Sequence, residues 1–223
     1  MGGRAVPGDR VRNLIAVVFI VCVPLLAGPA QPAEHTPEVV AFGDSLTAGL
    51  GLPPEQAFPA RLESRLHGDG IKVHIVNAGV SGDTTAGGVA RLDWQLADKP
   101  DIVMLELGAN DALRGIDPDI VRTNLETMIK KIQSSGAKVL LLGMQAPANW
   151  GEDYQRRFDR IYPELAHAYG APLYPFFLEG VAMNSELNQP DGIHPNARGV
   201  AVIVKGVAPL LRDALGPLAG ERS

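Results

Sequence analysis

The chain has 223 residues, of which 46% are apolar and 20% are charged, and its formal net charge at pH 7 is -5. These proportions are typical of a globular protein with a buried core and exclude a disordered chain. The negative net charge and the lack of a basic stripe in the sequence argue against nucleic acid as a partner.

The amino-terminal segment has the pattern of a secretory signal peptide. Three arginines precede an apolar stretch over residues 14–27, at Arg4, Arg10 and Arg12. The stretch is shorter than the roughly 20 residues that cross a bilayer, and small residues follow it. We therefore predict a leader over residues 1–33 that is cleaved near Ala30 or Ala33. A retained membrane anchor is the alternative.

After cleavage, residues 34–223 are expected to form one exported domain, periplasmic or secreted, which is a monomer with no stable membrane insertion. The only cysteine, Cys22, falls within the predicted leader. The domain then has neither a disulfide nor a thiolate nucleophile. Metal, phosphate-loop and dinucleotide chemistry are not indicated, because the sequence contains none of the motifs His-Glu-x-x-His, Gly-x-x-x-x-Gly-Lys and Gly-x-Gly-x-x-Gly.

Beyond residue 37, short apolar runs alternate with amphipathic helical patterns. The runs predict strands over Val39–Phe42, Val73–Val76, Ile102–Leu107, Val139–Leu142 and Pro172–Tyr174. The helical patterns cover Phe58–Gly68, Thr84–Ala97, 117–136, Tyr154–Tyr169 and Asn196–Leu215. Continuously apolar strands that alternate with helices predict a parallel sheet covered on both faces. The expected fold is an α/β, three-layer α/β/α sandwich with about five strands.

The first strand leads directly into Gly43-Asp44-Ser45-Leu46. The residues that follow a parallel strand lie at the carboxyl edge of the sheet, where α/β proteins bind ligands. A serine exposed at that edge is a candidate nucleophile. Asp and Ser are also preferred at the first position of a helix, so a plain helix cap is the alternative.

A serine nucleophile needs a base, and His194 is the candidate among five histidines. It lies in a turn bounded by Pro190 and Pro195, and Asp191 precedes it by three residues. A carboxylate at that spacing can fix the tautomer of the imidazole and stabilise the imidazolium. A surface-loop histidine is the alternative. The other four lie at the start of the domain or within predicted helices and a strand: His35, His67, His74 and His167.

Acyl transfer also requires hydrogen-bond donors for the developing oxyanion. The backbone N–H of Gly82, the side-chain amide of Asn110 and the N–H of Ser45 are the candidates, because each follows a predicted strand. The alternatives are a glycine-rich turn that cradles a phosphate around Gly82 and a helix cap at Asn110.

Together, these segments resemble the four sequence blocks of the SGNH (GDSL) hydrolases. The matching motifs are Gly43-Asp44-Ser45-Leu46, Gly82, Gly108-x-Asn110-Asp111 and Asp191-x-x-His194. The chain is most similar to the secreted bacterial branch of lysophospholipases, thioesterases I and arylesterases. The resemblance implies a flavodoxin-like fold, Ser45 as nucleophile, His194 as base and Asp191 as its orienting group. It also implies an oxyanion hole of Ser45, Gly82 and Asn110, and no cofactor or metal.

The resemblance further implies that the enzyme cleaves carboxylic ester and thioester bonds of small acyl substrates through an acyl-enzyme. The loop that carries Asn149 and Trp150 resembles the loop that helps to cover the acyl chain in members of this family. Its alternative is a surface loop whose Trp packs on the helix below. Two other functions stay open: an exported carbohydrate O-acetylesterase with the same mechanism, and a non-catalytic exported protein that binds an acyl or phosphate ligand.

Overall fold

The computed structural model describes residues 1–4 and 35–220, with the backbone alone for 217–220. Its described residues form one sheet with the strand order β2-β1-β3-β4-β5, and every neighbouring pair is parallel. The strands are β1 Glu38–Gly43, β2 His74–Gly79, β3 Ile102–Glu106, β4 Lys138–Leu142 and β5 Leu173–Tyr174. This is the strand order of flavodoxin-like sheets.

Eight helices lie in the described residues: α1 Ser45–Ala48, α2 Phe58–Gly68, α3 Thr85–Leu96, α4 Ala109–Leu113, α5 Pro118–Ser134, α6 Glu152–Asp159, α7 Ile161–Tyr169 and α8 Ala197–Gly220. The sheet grows from β1 to β2 in one direction and from β1 to β5 in the other. Right-handed crossovers in opposite directions place their helices on opposite faces of a sheet. Consistently, α2 packs against α8, and α3 packs against α5. The predicted three-layer α/β/α sandwich is confirmed.

The central strands are apolar along most of their length because both of their faces are covered. Val39–Phe42 of β1 are at most 2% exposed, and all of β3 is buried. Burying a Val, Leu, Ile or Phe side chain contributes about 1.5–3 kcal/mol, so these two strands hold the centre of the core. In the edge strand β2, only Ile75 and Ala78 are buried. The strand extends to Gly79 through polar Asn77, which hid its end in the sequence.

The single helix predicted over Tyr154–Tyr169 is wrong, because two helices, α6 and α7, occupy this segment with a break at Arg160. Pro163 explains the break. Proline has no N–H to donate to the carbonyl four residues earlier, here that of Asp159, and its ring collides with that carbonyl. The apolar periodicity continues through the break and concealed it.

The predicted leader, residues 1–33 with cleavage near Ala30 or Ala33, lies outside the described residues except for residues 1–4. Within residues 35–220, none of the helices has the length and apolar character needed to cross a membrane.

Candidate active site

Three strands end at the same level, which brings their following loops side by side. In the parallel register, Gly43 at the end of β1 pairs with Gly79 of β2 on one side and with Glu106 of β3 on the other. The chain leaves these positions into the segments that carry Ser45, Gly82 and Asn110. The predicted site residues of these three loops therefore share the carboxyl edge of the sheet.

The turn after β1 is tightly built. The Asp44 carboxylate caps α1 by accepting the N–H of Leu46 at 2.9 Å, and Ser45 is the first residue of that helix with 8% of its surface exposed. A Cβ on Gly43 would lie 2.2 Å from Oγ1 of Thr47 and 2.4 Å from Oε2 of Glu106. Glycine is thus required at position 43 for the turn to close on these polar groups.

The structure brings Ser45, His194 and Asp191 into one chain of hydrogen bonds. Oγ of Ser45 lies 2.9 Å from Nε2 of His194, and Nδ1 of His194 lies 2.7 Å from Oδ2 of Asp191. A carboxylate only accepts, so Nδ1 carries the proton and Nε2 is free to accept the hydroxyl hydrogen of Ser45.

Asp191 is itself held in place by the turn that it begins. Its Oδ1 accepts the backbone N–H groups of Ile193 at 2.9 Å and His194 at 3.0 Å. These bonds, followed by that from the His194 ring, lower the pKa of Asp191 to about 2. The carboxylate is therefore charged at neutral pH and can stabilise an imidazolium.

Gln189 ties the histidine loop to the loop after α1. Its side-chain amide donates to the carbonyls of Leu50 at 2.7 Å and Pro195 at 3.0 Å, and its backbone N–H donates to the carbonyl of His194 at 2.7 Å. The sequence analysis missed this residue. Its partners are backbone carbonyls, which leave no signal in the sequence.

The two other candidate oxyanion donors, Gly82 and Asn110, lie in the loops beside the Ser45 turn. Gly82 has φ 81°, and a Cβ there would meet nothing within 4 Å, so the turn requires glycine for its conformation and not for space. One amide hydrogen of Asn110 is used by Oδ2 of Asp44, at 2.9 Å. A primary amide has two hydrogens, so a second is left for a ligand. Asn110 lies within α4 and not at its cap.

A buried polar pair couples the Asn110 helix to the Gly82 loop. The carboxylate of Asp111, 1% exposed, accepts the N–H of Thr85 at 2.9 Å and its hydroxyl at 2.7 Å. Asn124 of α5 donates to the same hydroxyl at 3.0 Å. These bonds fix the start of α3, three residues after Gly82, against α4.

Asp44 and Glu106 form a buried acidic pair behind the Ser45 turn. Oε2 of Glu106 accepts the hydroxyl of Thr47 at 2.7 Å and the N–H of Asp44 at 3.3 Å. Oε1 of Glu106 is buried without a hydrogen-bond partner among the described residues. Burial, and then the nearby Asp44 carboxylate, raise the pKa of Glu106 well above its ordinary value. Burial also raises the pKa of Asp44 to about 6, opposed by its bonds from Leu46 and Asn110. Both carboxyl groups of the pair therefore hold their protons to a higher pH than exposed carboxyl groups do.

We expect the Glu106→Gln variant to gain stability relative to the wild type as the pH rises. Because the pKa of Glu106 is higher in the folded state, its contribution to stability is fully present below the unfolded-state value and is lost as the pH rises towards the folded-state value. A difference of one in pKa corresponds to about 1.4 kcal/mol, and glutamine does not titrate. Urea unfolding of both proteins between about pH 4 and pH 7 measures this difference.

The matched control is Glu152→Gln, at a side chain that is 95% exposed. Its free energy of unfolding should follow that of the wild type at every pH. A constant difference between Glu106→Gln and the wild type across this range would contradict the raised pKa of Glu106.

Trp150 packs on α4 and is still 45% exposed. Its Nε1 donates to the carbonyl of Ala112 at 2.8 Å, and its ring lies against Gly115, where a Cβ would approach it to 2.9 Å. Asn149 is exposed in the same short 3₁₀ turn, Ala148–Trp150. The loop thus reaches the helix that carries Asn110, and its role in substrate binding stays a prediction.

The other histidines lie towards the amino edge of the sheet. His35 is 2.9 Å from Asp101, just before β3, and His67 at the end of α2 is bonded to the carbonyl of Val73 at 2.8 Å. His74 begins β2, and His167 is in the last turn of α7. This leaves His194 as the histidine beside Ser45. Among the described residues, no group of acidic, histidine or cysteine side chains could hold a metal ion.

The chain is similar to several known proteins. Residues 41–202 match the model of the GDSL-like Lipase/Acylhydrolase family. The esterase TesA of Pseudomonas aeruginosa is 43% identical over 201 residues, which is 90% of this chain and 99% of the relative. The thioesterase 1/protease 1/lysophospholipase L1 of Escherichia coli is 40% identical over 159 residues, which is 71% of this chain and 75% of the relative.

A solved structure shares the fold as well. The crystal structure of TesA superposes with a TM-score of 0.76 and 44% sequence identity, and the match covers 80% of this chain and 99% of the other. The chain therefore belongs to the GDSL-like lipase/acylhydrolase family of serine ester hydrolases, as the resemblance predicted.

Proposed function

We propose that this protein hydrolyses carboxylic esters and thioesters of acyl substrates through an acyl-enzyme on Ser45. The observation that carries the proposal is the continuous chain of hydrogen bonds from Asp191 through His194 to Ser45, with distances of 2.7 Å and 2.9 Å. A serine hydroxyl is a weak nucleophile until a neighbouring base can take its proton, and the neutral Nε2 of His194 is within reach.

In the first half of the reaction, Oγ of Ser45 attacks the acyl carbonyl carbon while Nε2 of His194 takes the hydroxyl proton. The charge of Asp191 stabilises the imidazolium that forms. The tetrahedral intermediate then collapses, the bond to the alcohol or thiol breaks, and the leaving group takes the proton from His194. In the second half, water loses a proton to His194 and attacks the acyl carbon. The bond from this carbon to Oγ of Ser45 then breaks, Oγ takes the proton back from His194, and the acid is released.

The oxyanion is proposed to bind the N–H groups of Ser45 and Gly82 and the free amide hydrogen of Asn110. The bond from Asn110 to Asp44 supports this role, because it fixes the plane of the amide beside the Ser45 turn. Donors that are held in place before the reaction stabilise the transition state without the cost of reorganisation.

Exposed apolar side chains on the surrounding loops favour an acyl chain over a sugar as the group next to the reacting ester. They are Leu50, Val80, Leu113, Trp150 and Ile193, each 45–49% exposed. Each is on, or directly after, a segment that holds a site residue. We include Asn149 and Trp150 in the proposed substrate-binding surface.

A series of p-nitrophenyl esters from acetate to palmitate, with acyl thioesters assayed in parallel, tests the proposal. We expect hydrolysis of both ester and thioester, with kcat/KM maintained or increased beyond acetate, because a longer chain buries more apolar surface on the loops. Activity on acetate alone would instead favour the carbohydrate O-acetylesterase, for which a polar groove is expected.

We further propose that the protein is exported to the periplasm or the medium, on the basis of the leader predicted over residues 1–33, and that it acts as a monomer. Fractionation of cells that express the full chain, followed by amino-terminal sequencing, tests both export and cleavage near Ala30 or Ala33.

A further inference from the structure

The guanidinium of Arg91, on α3, binds both loops that supply backbone N–H groups to the proposed oxyanion hole. Nη2 donates to the carbonyl of Gly43 at 2.8 Å, and Nη1 donates to the carbonyl of Ala78 at 2.8 Å. Nε donates to Oδ2 of Asp83 at 2.7 Å. Gly43 precedes the Asp44-Ser45 turn, whereas Asp83 follows Gly82 directly. One side chain thus links the nucleophile turn to the oxyanion glycine.

These contacts are specific for arginine. The guanidinium is a rigid planar fork with five N–H donors, which can bind three acceptors in one plane at once. Its carbon lies 3.9 Å from the centroid of the Phe42 ring, which holds the plane from one side. The side chain of Arg91 is 23% exposed and that of Asp83 is 10% exposed, so the ion pair is shielded from water. A lysine ammonium at the end of a flexible stem cannot reproduce this geometry.

The Gly82 loop has little packing of its own. Val80, Ser81 and Gly82 are exposed, and a Cβ on Gly82 would touch nothing within 4 Å. The loop is positioned by hydrogen bonds: Val80 N–H to the Gly43 carbonyl at 3.0 Å, Arg114 to the Gly82 carbonyl at 3.0 Å, and Arg91 to Asp83. Of the two arginines, Arg91 is the one whose described bonds also reach β1.

We propose that Arg91 is a positioning residue for ester hydrolysis, which sets the Gly82 loop at a fixed distance from the Ser45 turn. It touches neither substrate nor the reacting atoms. Its effect passes through the backbone carbonyls of Gly43 and Ala78 and the carboxylate of Asp83. The inference rests on the proposed function, because it assumes that Ser45 and Gly82 donate to the oxyanion.

The purified Arg91→Lys and Arg91→Ala variants test this assignment against the wild type. Since a misplaced oxyanion donor weakens only transition-state binding, we expect kcat to fall by about 10²-fold with KM changed by less than about two-fold. Guanidinium chloride at low millimolar concentration should restore part of kcat in Arg91→Ala, because the free ion can occupy the vacated fork. The matched control is Arg122→Lys, at a partly exposed arginine of α5 that pairs with Glu164, and it should keep the wild-type kcat and show no response to guanidinium.

Three results would overturn the inference. The first is a wild-type kcat in both Arg91 variants with only a lower midpoint of thermal unfolding, and the second is a higher KM in these variants with kcat unchanged. The third is an equal response of kcat to guanidinium in all variants. If Arg91→Ala does not fold, the kcat of Arg91→Lys decides the question. A wild-type protein without ester hydrolysis would contradict the proposed function itself. That failure is distinct, because the control and the wild type would then be inactive together.

Discussion

Replacing Ser45 by alanine is expected to abolish ester and thioester hydrolysis, with a loss on the order of 10⁶-fold in kcat. The substitution removes the oxygen that forms the acyl-enzyme, and the remaining oxyanion donors accelerate only a slow attack by water. The same variant should not be labelled by a fluorophosphonate, which reacts with an activated serine hydroxyl. Turnover of a p-nitrophenyl ester and labelling followed by mass spectrometry measure the two losses.

The fold should survive this change. Alanine keeps the helical position at the start of α1, and the described bond that it removes is the one from Oγ to His194. The matched control is Ser134→Ala, at an exposed serine at the end of α5 and towards the opposite edge of the sheet, which should retain full activity and labelling. Full esterase activity in Ser45→Ala would refute the assignment of the nucleophile.

Loss of the imidazole is expected to be nearly as severe, and more severe than loss of the carboxylate. His194→Ala removes the group that carries the proton in both halves of the reaction, so kcat should fall on the order of 10⁶-fold. Asp191→Ala leaves that group in place but frees its tautomer and removes the charge that stabilises the imidazolium. The expected loss is about 10⁴-fold. Steady-state kinetics on one p-nitrophenyl ester compares the two.

The matched control for this pair is His74→Ala, at a histidine whose side chain is 61% exposed at the start of β2. It should hydrolyse the ester at the wild-type rate. A loss in Asp191→Ala as large as that in His194→Ala would contradict the assignment of the carboxylate as a group that orients and stabilises the imidazole. An active His194→Ala would remove histidine from the mechanism.

The pKa values of the carboxyl groups at the site determine how its charge changes with pH. Because the pKa of Asp191 is lowered to about 2, its charge is constant over the range in which most hydrolases are assayed. Asp44, with a pKa of about 6, does change its charge in that range, and protonation would weaken its oxygen as an acceptor for Asn110. A fall in activity on the acid side of neutrality is therefore expected to include protonation of Asp44 and not of Asp191.

The sheet could be predicted from the sequence because its signal is local. The strands β1, β3 and β4 each contain an unbroken run of at least four apolar or small residues, which is typical of strands buried on both faces. The break between α6 and α7 could not be predicted, for the opposite reason. An apolar stripe indicates which face of a helix is buried, and it continues whether or not the backbone hydrogen bonds of the helix are interrupted. Only Pro163 marked the break.

The candidate catalytic residues could be predicted from the sequence, but the residues that hold their loops in place could not. Ser45, Asp191 and His194 stand in short motifs, and the parallel sheet gave the reason for the first to lie at its carboxyl edge. Gln189 and Arg91 bind mainly backbone carbonyls of distant segments, which leave no pattern in the chain. Pairings of this kind depend on tertiary structure and are found only when the fold is known.

The crowding around Gly43 has a consequence for the evolution and engineering of substrate range. A methyl group added there would collide with Thr47 and with Glu106, the buried acid at the end of the neighbouring strand. We therefore expect no larger residue to be tolerated at position 43. Variation in chain-length preference is therefore expected to arise at the outer rim, where the side chains of Leu50 and Trp150 are about half exposed.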